Sequence, residues 1–568
     1  MGYEIIDGKG IIPGGAKEIV ESAFKGCTCL QSIVIPDSVT IIGDNAFSGC
    51  TSLQSIVIPD SVTVIGNSAF RVCSSLESIE IPDSVTEIGE SAFYGCASLQ
   101  SIDIPDSVTV IGNSAFCFCR SLQSIIIPNS VTKIDGAAFQ ECDNLTSITV
   151  SKNNSKYKST NNCILTRDGK ELILCRNQNI PDGVTKIADF AFNRYTSLQS
   201  IEIPDSVTEI GNSAFCYCEG LQSVEIPDSV TMIGNSAFCG CRSLESIEIP
   251  DSVTEIAQSA FYGCESLQSI VIPNRITTIG ECAFFCCNSL ESIEIPNCVT
   301  TIGKHAFWAC KRLKSIVISD GITRIEGAAF QYCDNLTSIT VSKNNSAYKS
   351  ENNCLLTKDG KELLLARNQT IPSSVTKIRE GALSSYANLQ SIVIPDSVTM
   401  IEDYAFASCK NLQSIDIPNS VTKIGKSVFY LCTNLQSIVI PNSVTKIVEW
   451  AFNGCTSLQS IEIPNSVTEI GYAAFNLCRR LQSISIPDSV TKIGNWAFKG
   501  CKSLQSITIT TQEKNPGLSR GSIEYLLQAL SEYSKEISLR VPIGRGYAYR
   551  HHPAFEGKFK TIIADIDA

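Results

Sequence analysis

The sequence predicts a repeat solenoid, one chain wound into coils that stack strand upon strand to build a long parallel β-sheet. Three observations carry this. Leucine recurs every 23 residues at Leu30, Leu53, Leu76, Leu99, Leu122 and Leu145, then from Leu198 to Leu336, then from Leu389 to Leu504, which makes 19 rungs. Eighteen of the 23 phenylalanines share one place in that period, from Phe24, Phe47 and Phe70 onward, with Leu383 in the nineteenth place. Seventeen of the 27 cysteines share another, from Cys27, Cys50 and Cys73 to Cys501, with Tyr195 and Tyr386 filling the two gaps. A fixed period of this length marks units that bury their apolar face only by stacking on neighbours.

Each element follows from one coil, Leu53–Ser75, which reads L-Q-S-I-V-I-P-D-S-V-T-V-I-G-N-S-A-F-R-V-C-S-S. Ile56 and Ile58 alternate with Ser55 and Val57, so the first pair faces the core and the second faces out. Pro59 ends the strand because it has no N–H to give a ladder. Asp60-Ser61 suits a turn. Val62 and Ile65 return to the core, and Gly66 turns the chain. Ala69 and Phe70 are expected to open a short helical or 3₁₀ segment opposite the sheet, closing on Cys73. A period of 23 carrying L-x-x-I-x-I lies in the range of leucine-rich repeats.

The spacing twice jumps from 23 to 53 residues, at about 151–180 and 342–371. The two inserts are near copies, and Asp168-Gly169 and Asp359-Gly360 between apolar runs predict two β-hairpins. They are expected to project at strand ends, where loops on a rigid scaffold often carry function. Residues 1–29 read as a partial repeat and N-terminal cap, 30–510 as the solenoid, and 511–568 as a C-terminal cap with a helix over Ile523–Leu530 and a strand from Ile537 to Val541. Solenoid ends need caps to hide the open core.

The phrase S-I-x-I-P-D-S-V-T-x-I-G-x-S-A-F-x-x-C-x-S-L-x-S resembles the BspA-like leucine-rich repeats, also called the Treponema pallidum type, over residues 30–510. The closing L-R-V-P-I-G-R-G-Y-A-Y-R-H-H-P-A-F-E-G-K-F-K-T-I is similar to caps of that family. The resemblance implies a right-handed solenoid with its sheet on the inner face. It further implies a surface or secreted protein that adheres to other proteins or cells.

Composition narrows the function. A net charge of -12 disfavours nucleic acid as a partner. No apolar stretch approaches the roughly 18–20 residues of a membrane-spanning helix. Met1–Ile6 shows no basic and apolar leader, and the ladder cysteines are expected to be reduced core thiols. Those two features favour the cytoplasm, against the surface location the resemblance implies, and the sequence leaves both open. Of the three histidines, His305 stands at a variable position before Ala306-Phe307 and is expected to be exposed, His551-His552 has no acidic or cysteine partner at ligand spacing, and phosphate-loop, dinucleotide-binding and hydrolase motifs are missing. No cofactor, no metal and no catalysis are expected, and a monomer is expected.

The informative surface is the middle of each first strand. That position carries Glu80, Asp103, Glu202, Glu225, Glu248, Glu294, Asp416 and Glu462, otherwise Val, Ile, Thr or Ser, and never Lys or Arg. Stacked like charges are unfavourable without a counter-charge. The ridge therefore reads either as a solubilised strand face or as a patch for a basic protein. The expected function is a protein-binding, adhesin-like scaffold using this ridge and the hairpins. A cytoplasmic scaffold is the alternative, and a cysteine-dependent enzyme the remote one.

Overall fold

In the computed structural model, residues 3–135, 137–487, 489–510, 537–541 and 561–564 are described. The chain divides into two compact units, Met1–Cys287 and Asn288–Ala568. Both are built from the same coil.

Most coils supply two short strands, which pair in parallel with their counterparts one period on. Ser55–Val57 pairs with Ser78–Glu80, and Val64–Ile65 pairs with Glu87–Ile88. The sequence predicts one parallel sheet, and the structure has two. The T-x-I segment is the second: Val62 and Ile65 point inward, and the extended backbone between them has free donors and acceptors that only the next coil can satisfy. In the second unit the first sheet runs through eight strands, from Ser391–Val393 to Thr561–Ala564.

The expected helical or 3₁₀ segments do not form among the described residues. In the coil of Phe70, amides alternate between two acceptors. Ala69, Arg71 and Cys73 donate to carbonyls three residues back, while Ser68, Phe70 and Val72 donate to Glu90, Ala92 and Tyr94 of the next coil. Ser68 and Val72 sit in the left-handed region, at φ 55° and 58°. A continuing helix would use every amide within the coil. Here half of them tie the coils together, which makes a third hydrogen-bonded side.

The core is a set of ladders. Phe47, Phe70 and Phe93 are fully buried, and their rings stack 5.3 and 5.5 Å apart. The ladder thiols have a specific role. Cys73 Sγ donates to the Phe47 carbonyl of the preceding coil at 3.1 Å, and Cys478 does the same to Phe452 at 3.2 Å. Cysteine suits this place because it is small and apolar yet carries one weak donor.

The inserts differ from plain hairpins. Tyr157–Thr160, Cys163–Thr166 and Glu171–Cys175 form a three-stranded antiparallel unit, and the last strand pairs in parallel with Lys186–Ile187 of the second sheet. The insert is thus woven into the wall and does not project as a free loop. Asn161 and Asn162 both have positive φ, as a tight I′-type turn requires. Asp168-Gly169 turns the chain as expected, with Gly169 at φ 77°.

Buried polar groups hold each insert. Asn345 is wholly buried, donates to the Ser319 and Ile322 carbonyls and accepts from the Ala347 and Tyr348 amides. Asn154 makes the matching set in the first insert. Arg176 replaces the missing ladder thiol: its guanidinium donates to the Phe139 carbonyl and lies 5.6 Å from the Tyr195 ring. Cys163 and Cys175, directly opposite across two strands, form a disulfide. Neither cysteine belongs to the ladder, whose members are expected to be reduced. The remaining 25 cysteines are outside disulfides.

At the N-terminus, Glu4–Ile6 and Lys9–Ile11 form a hairpin whose second strand pairs with Ser32–Ile33. At the other end, Ser538–Val541 and Thr561–Ala564 extend the first sheet. The helix expected over Ile523–Leu530, and His551 and His552, lie outside the described residues.

Candidate functional site

All eight sequence-selected acidic residues are exposed on the outer face of the first sheet. Strand alternation puts them there: their neighbours Ile201, Ile203, Ile415 and Ile417 are buried, so the residue between each pair must face out. The 23-residue register then sets them in line. Glu202 pairs directly with Glu225, and Glu248 follows on the next strand. Glu80 bridges to Asp103. In the second unit, Val393, Asp416, Val439, Glu462 and Ser485 follow one another across five strands. Glu294 is exposed in that unit as well.

Glu202, Glu225 and Glu248 line one open depression of about 490 Å³, together with Ser200, Ser223 and Ser246. None of the eight carboxylates has an ion-pair partner among the described residues. The second sheet treats charge differently at the same coil spacing. There Lys186 lies between Glu171 and Glu209, and Glu469 lies between Lys446 and Lys492 at 2.9 and 2.7 Å. At these positions of the second sheet the charges are paired, whereas the ridge carboxylates are not.

The ridge is also apolar in places. Val393 and Val439 flank Asp416 and are 75% and 68% exposed. Val34, Val57 and Val271 stand out similarly in the first unit. Acidic and aliphatic groups therefore share one narrow surface. It offers broad, flat contact and no enclosed cavity.

The buried ladder cysteines offer little nucleophilic chemistry. Burial pushes the thiols of Cys50, Cys96, Cys142, Cys218, Cys333 and Cys409 up to about 12, so they stay protonated at neutral pH. Cys216 and Cys239 are the exception in kind. A thiol–thiol interaction between neighbouring coils raises Cys216 and lowers Cys239. No helix among the described residues is long and apolar enough to cross a membrane.

Sequence reasoning missed Asn154, Asn345, Arg176 and Arg367 as anchors of the inserts. The signal was present in the near-identity of the two inserts, because Asn154 and Asn345, like Arg176 and Arg367, stand 191 residues apart.

A family model described as "BspA type Leucine rich repeat region" matches residues 9–94, 40–164, 172–256, 231–355, 365–478 and 422–518. A leucine-rich cell surface protein from Faecalibacterium prausnitzii is similar in structure, with 34% identity and a TM-score of 0.52, covering 63% of this chain and 95% of its own. A leucine-rich repeat protein from Eubacterium ventriosum aligns at 24% identity and a TM-score of 0.47, covering 73% of this chain and 95% of its own. A comparison with curated proteins returns no match. The six matches span nearly the whole chain, and the coils they fall on are those just described, so this protein belongs to the BspA-type leucine-rich-repeat family.

Proposed function

We propose that this protein is a non-catalytic, adhesin-like scaffold that holds a basic protein partner along its first-sheet ridge. The observation that carries this reading is the row of exposed, unpaired carboxylates set among exposed valines. Like charges stacked on neighbouring strands cost stability, and a partner's lysines or arginines would remove that cost. The valines add apolar area that water leaves on contact. The exposed ends of the inserts, including Asn153 and Asn344, flank the ridge strands and serve as secondary contacts. The Faecalibacterium protein is described as a cell surface protein, and its 34% identity supports a surface setting here. A cytoplasmic scaffold on the same fold draws its support from the 25 cysteines outside disulfides.

The test compares wild type with a Glu202→Lys/Glu225→Lys/Glu248→Lys variant as baits in parallel pull-downs. Wild type should retain basic proteins that the variant releases, and raised salt should release them too, because exposed charges are screened. An identical set of captured proteins would remove the ridge from the reading.

A further inference from the structure

We infer that the turn side of the second unit carries a binding site for a neutral polysaccharide, built on Tyr404, Tyr430, Trp450, Tyr472 and Trp496. These five aromatics line one open depression of about 370 Å³. Trp450 and Trp496 are 41% and 48% exposed, and the chain has only three tryptophans. Ring centres lie 6.1 Å apart from Trp450 to Tyr472 and 5.4 Å from Tyr472 to Trp496, about the size of one pyranose unit. The planes are tilted by 56° and 42°, so the rings are stepped and not stacked face to face, with Lys499 over one face of Trp496.

Packing does not call for these residues. Tyr404, Trp450 and Trp496 occupy a coil position with φ of 56°, 57° and 61°. The same position holds Asn45, Ser68, Ser91 and Ser114 in the first unit, also at positive φ. Bulky side chains are disfavoured in that region, and Ser or Asn satisfies the coil. Large aromatics placed there against preference, and then left in water, point to a ligand.

Polar groups complete the site. Asn453 and Asn476 line the same depression. Ser427, also in its lining, is wholly buried, and its Oγ has no hydrogen-bond partner. A buried hydroxyl without a partner is costly, and a ligand hydroxyl would supply one.

Charge selects the ligand class. Lys426 is paired with Glu449 at 2.8 Å, Asp403 accepts from the Lys426 amide, and Lys499 lies 4.8 Å over the Trp496 ring. The surface is electrically balanced, unlike a groove for phosphates. Aromatic faces carry negative charge density and attract the C–H faces of sugar rings, while amides and hydroxyls bond their hydroxyl groups. Stepped rings at coil spacing suit an extended chain better than a single sugar.

The test is native affinity electrophoresis of the full chain through gels containing a soluble neutral β-glucan or galactomannan, with tryptophan fluorescence titration in parallel. The variant is Trp450→Ser/Trp496→Ser, which installs the residue that Ser68 and Ser91 already place in this conformation. A second variant, Ser427→Ala, removes the buried hydroxyl. Wild type should be retarded by at least one polysaccharide. The double variant should lose at least about tenfold in affinity with an unchanged melting temperature, since its coil keeps a tolerated residue. The Glu202/Glu225/Glu248 variant should bind as wild type does, which separates this site from the ridge. No retardation of wild type, equal retardation of the double variant, or binding of phosphatidylcholine vesicles or apolar peptides in place of polysaccharide would overturn the inference.

Discussion

Replacing Phe261 by alanine tests the ladder core most directly. Phe261 is 1% exposed and stacks on Phe238 at 5.7 Å and on Phe284 at 5.5 Å. Deleting a buried phenylalanine ring costs about 3–5 kcal/mol through lost transfer energy and the cavity left behind. Each stacked pair adds about 0.5–1.5 kcal/mol, and two pairs are lost, so Phe261→Ala should fall near the upper end of that range. The chain supplies its own control. Leu383 fills the same coil position and is wholly buried. Phe261→Leu should therefore keep most of the burial and lose mainly the ring contacts, at about 1.5–2 kcal/mol. Urea denaturation followed by circular dichroism measures the totals. Hydrogen exchange locates the effect, because solenoid stability is a sum of coil and neighbour terms. The Phe238 and Phe261 amides, which bond to Ala260 and Ala283, should lose protection first. Equal costs for Ala and Leu, or a cost below about 1 kcal/mol for Ala, would refute the ladder as the support of the coil.

Asn345→Ala strands four buried backbone groups and should cost on the order of 4 kcal/mol or more, while Asn345→Asp should be at least as harmful because it sets a carboxylate against the Ser319 and Ile322 carbonyls; thermal melts compare them. Stability should fall in alkali. The six ladder thiols held at about 12 stay protonated when folded, whereas in the unfolded chain they ionise from about pH 9, so stability is intact below pH 9 and lost as pH rises toward 12. A melting temperature that stays flat across that window would contradict the burial of the thiols. Thiol titration of the denatured chain should give 25 groups before reduction and 27 after, and in the native chain the exposed Cys29 should label before the ladder cysteines.

Much of this protein is written in its period. A leucine, two isoleucines, a proline and a phenylalanine repeated at 23 residues state which groups are buried and where each first strand ends, because burial and strand alternation are local consequences of side-chain order. The acidic ridge was legible for the same reason: a residue between two buried isoleucines on a strand has only one way to face. The second sheet, the alternating turn segment and the woven inserts were not legible. Each depends on which carbonyl an amide finds across the coil boundary, and a single coil's sequence does not state that choice. Ala69-Phe70 has helix-like spacing, yet its amides gain more from the next coil than from a helix that Ser68 and Val72 interrupt with positive φ. The aromatic strip belongs with these. Tyr404, Tyr430, Trp450, Tyr472 and Trp496 are scattered over five coils of sequence, and only stacking makes them one surface. The sequence alone determined what each coil hides. Tertiary structure decided what the coils present together, because lateral neighbours come from stacking and not from adjacency along the chain.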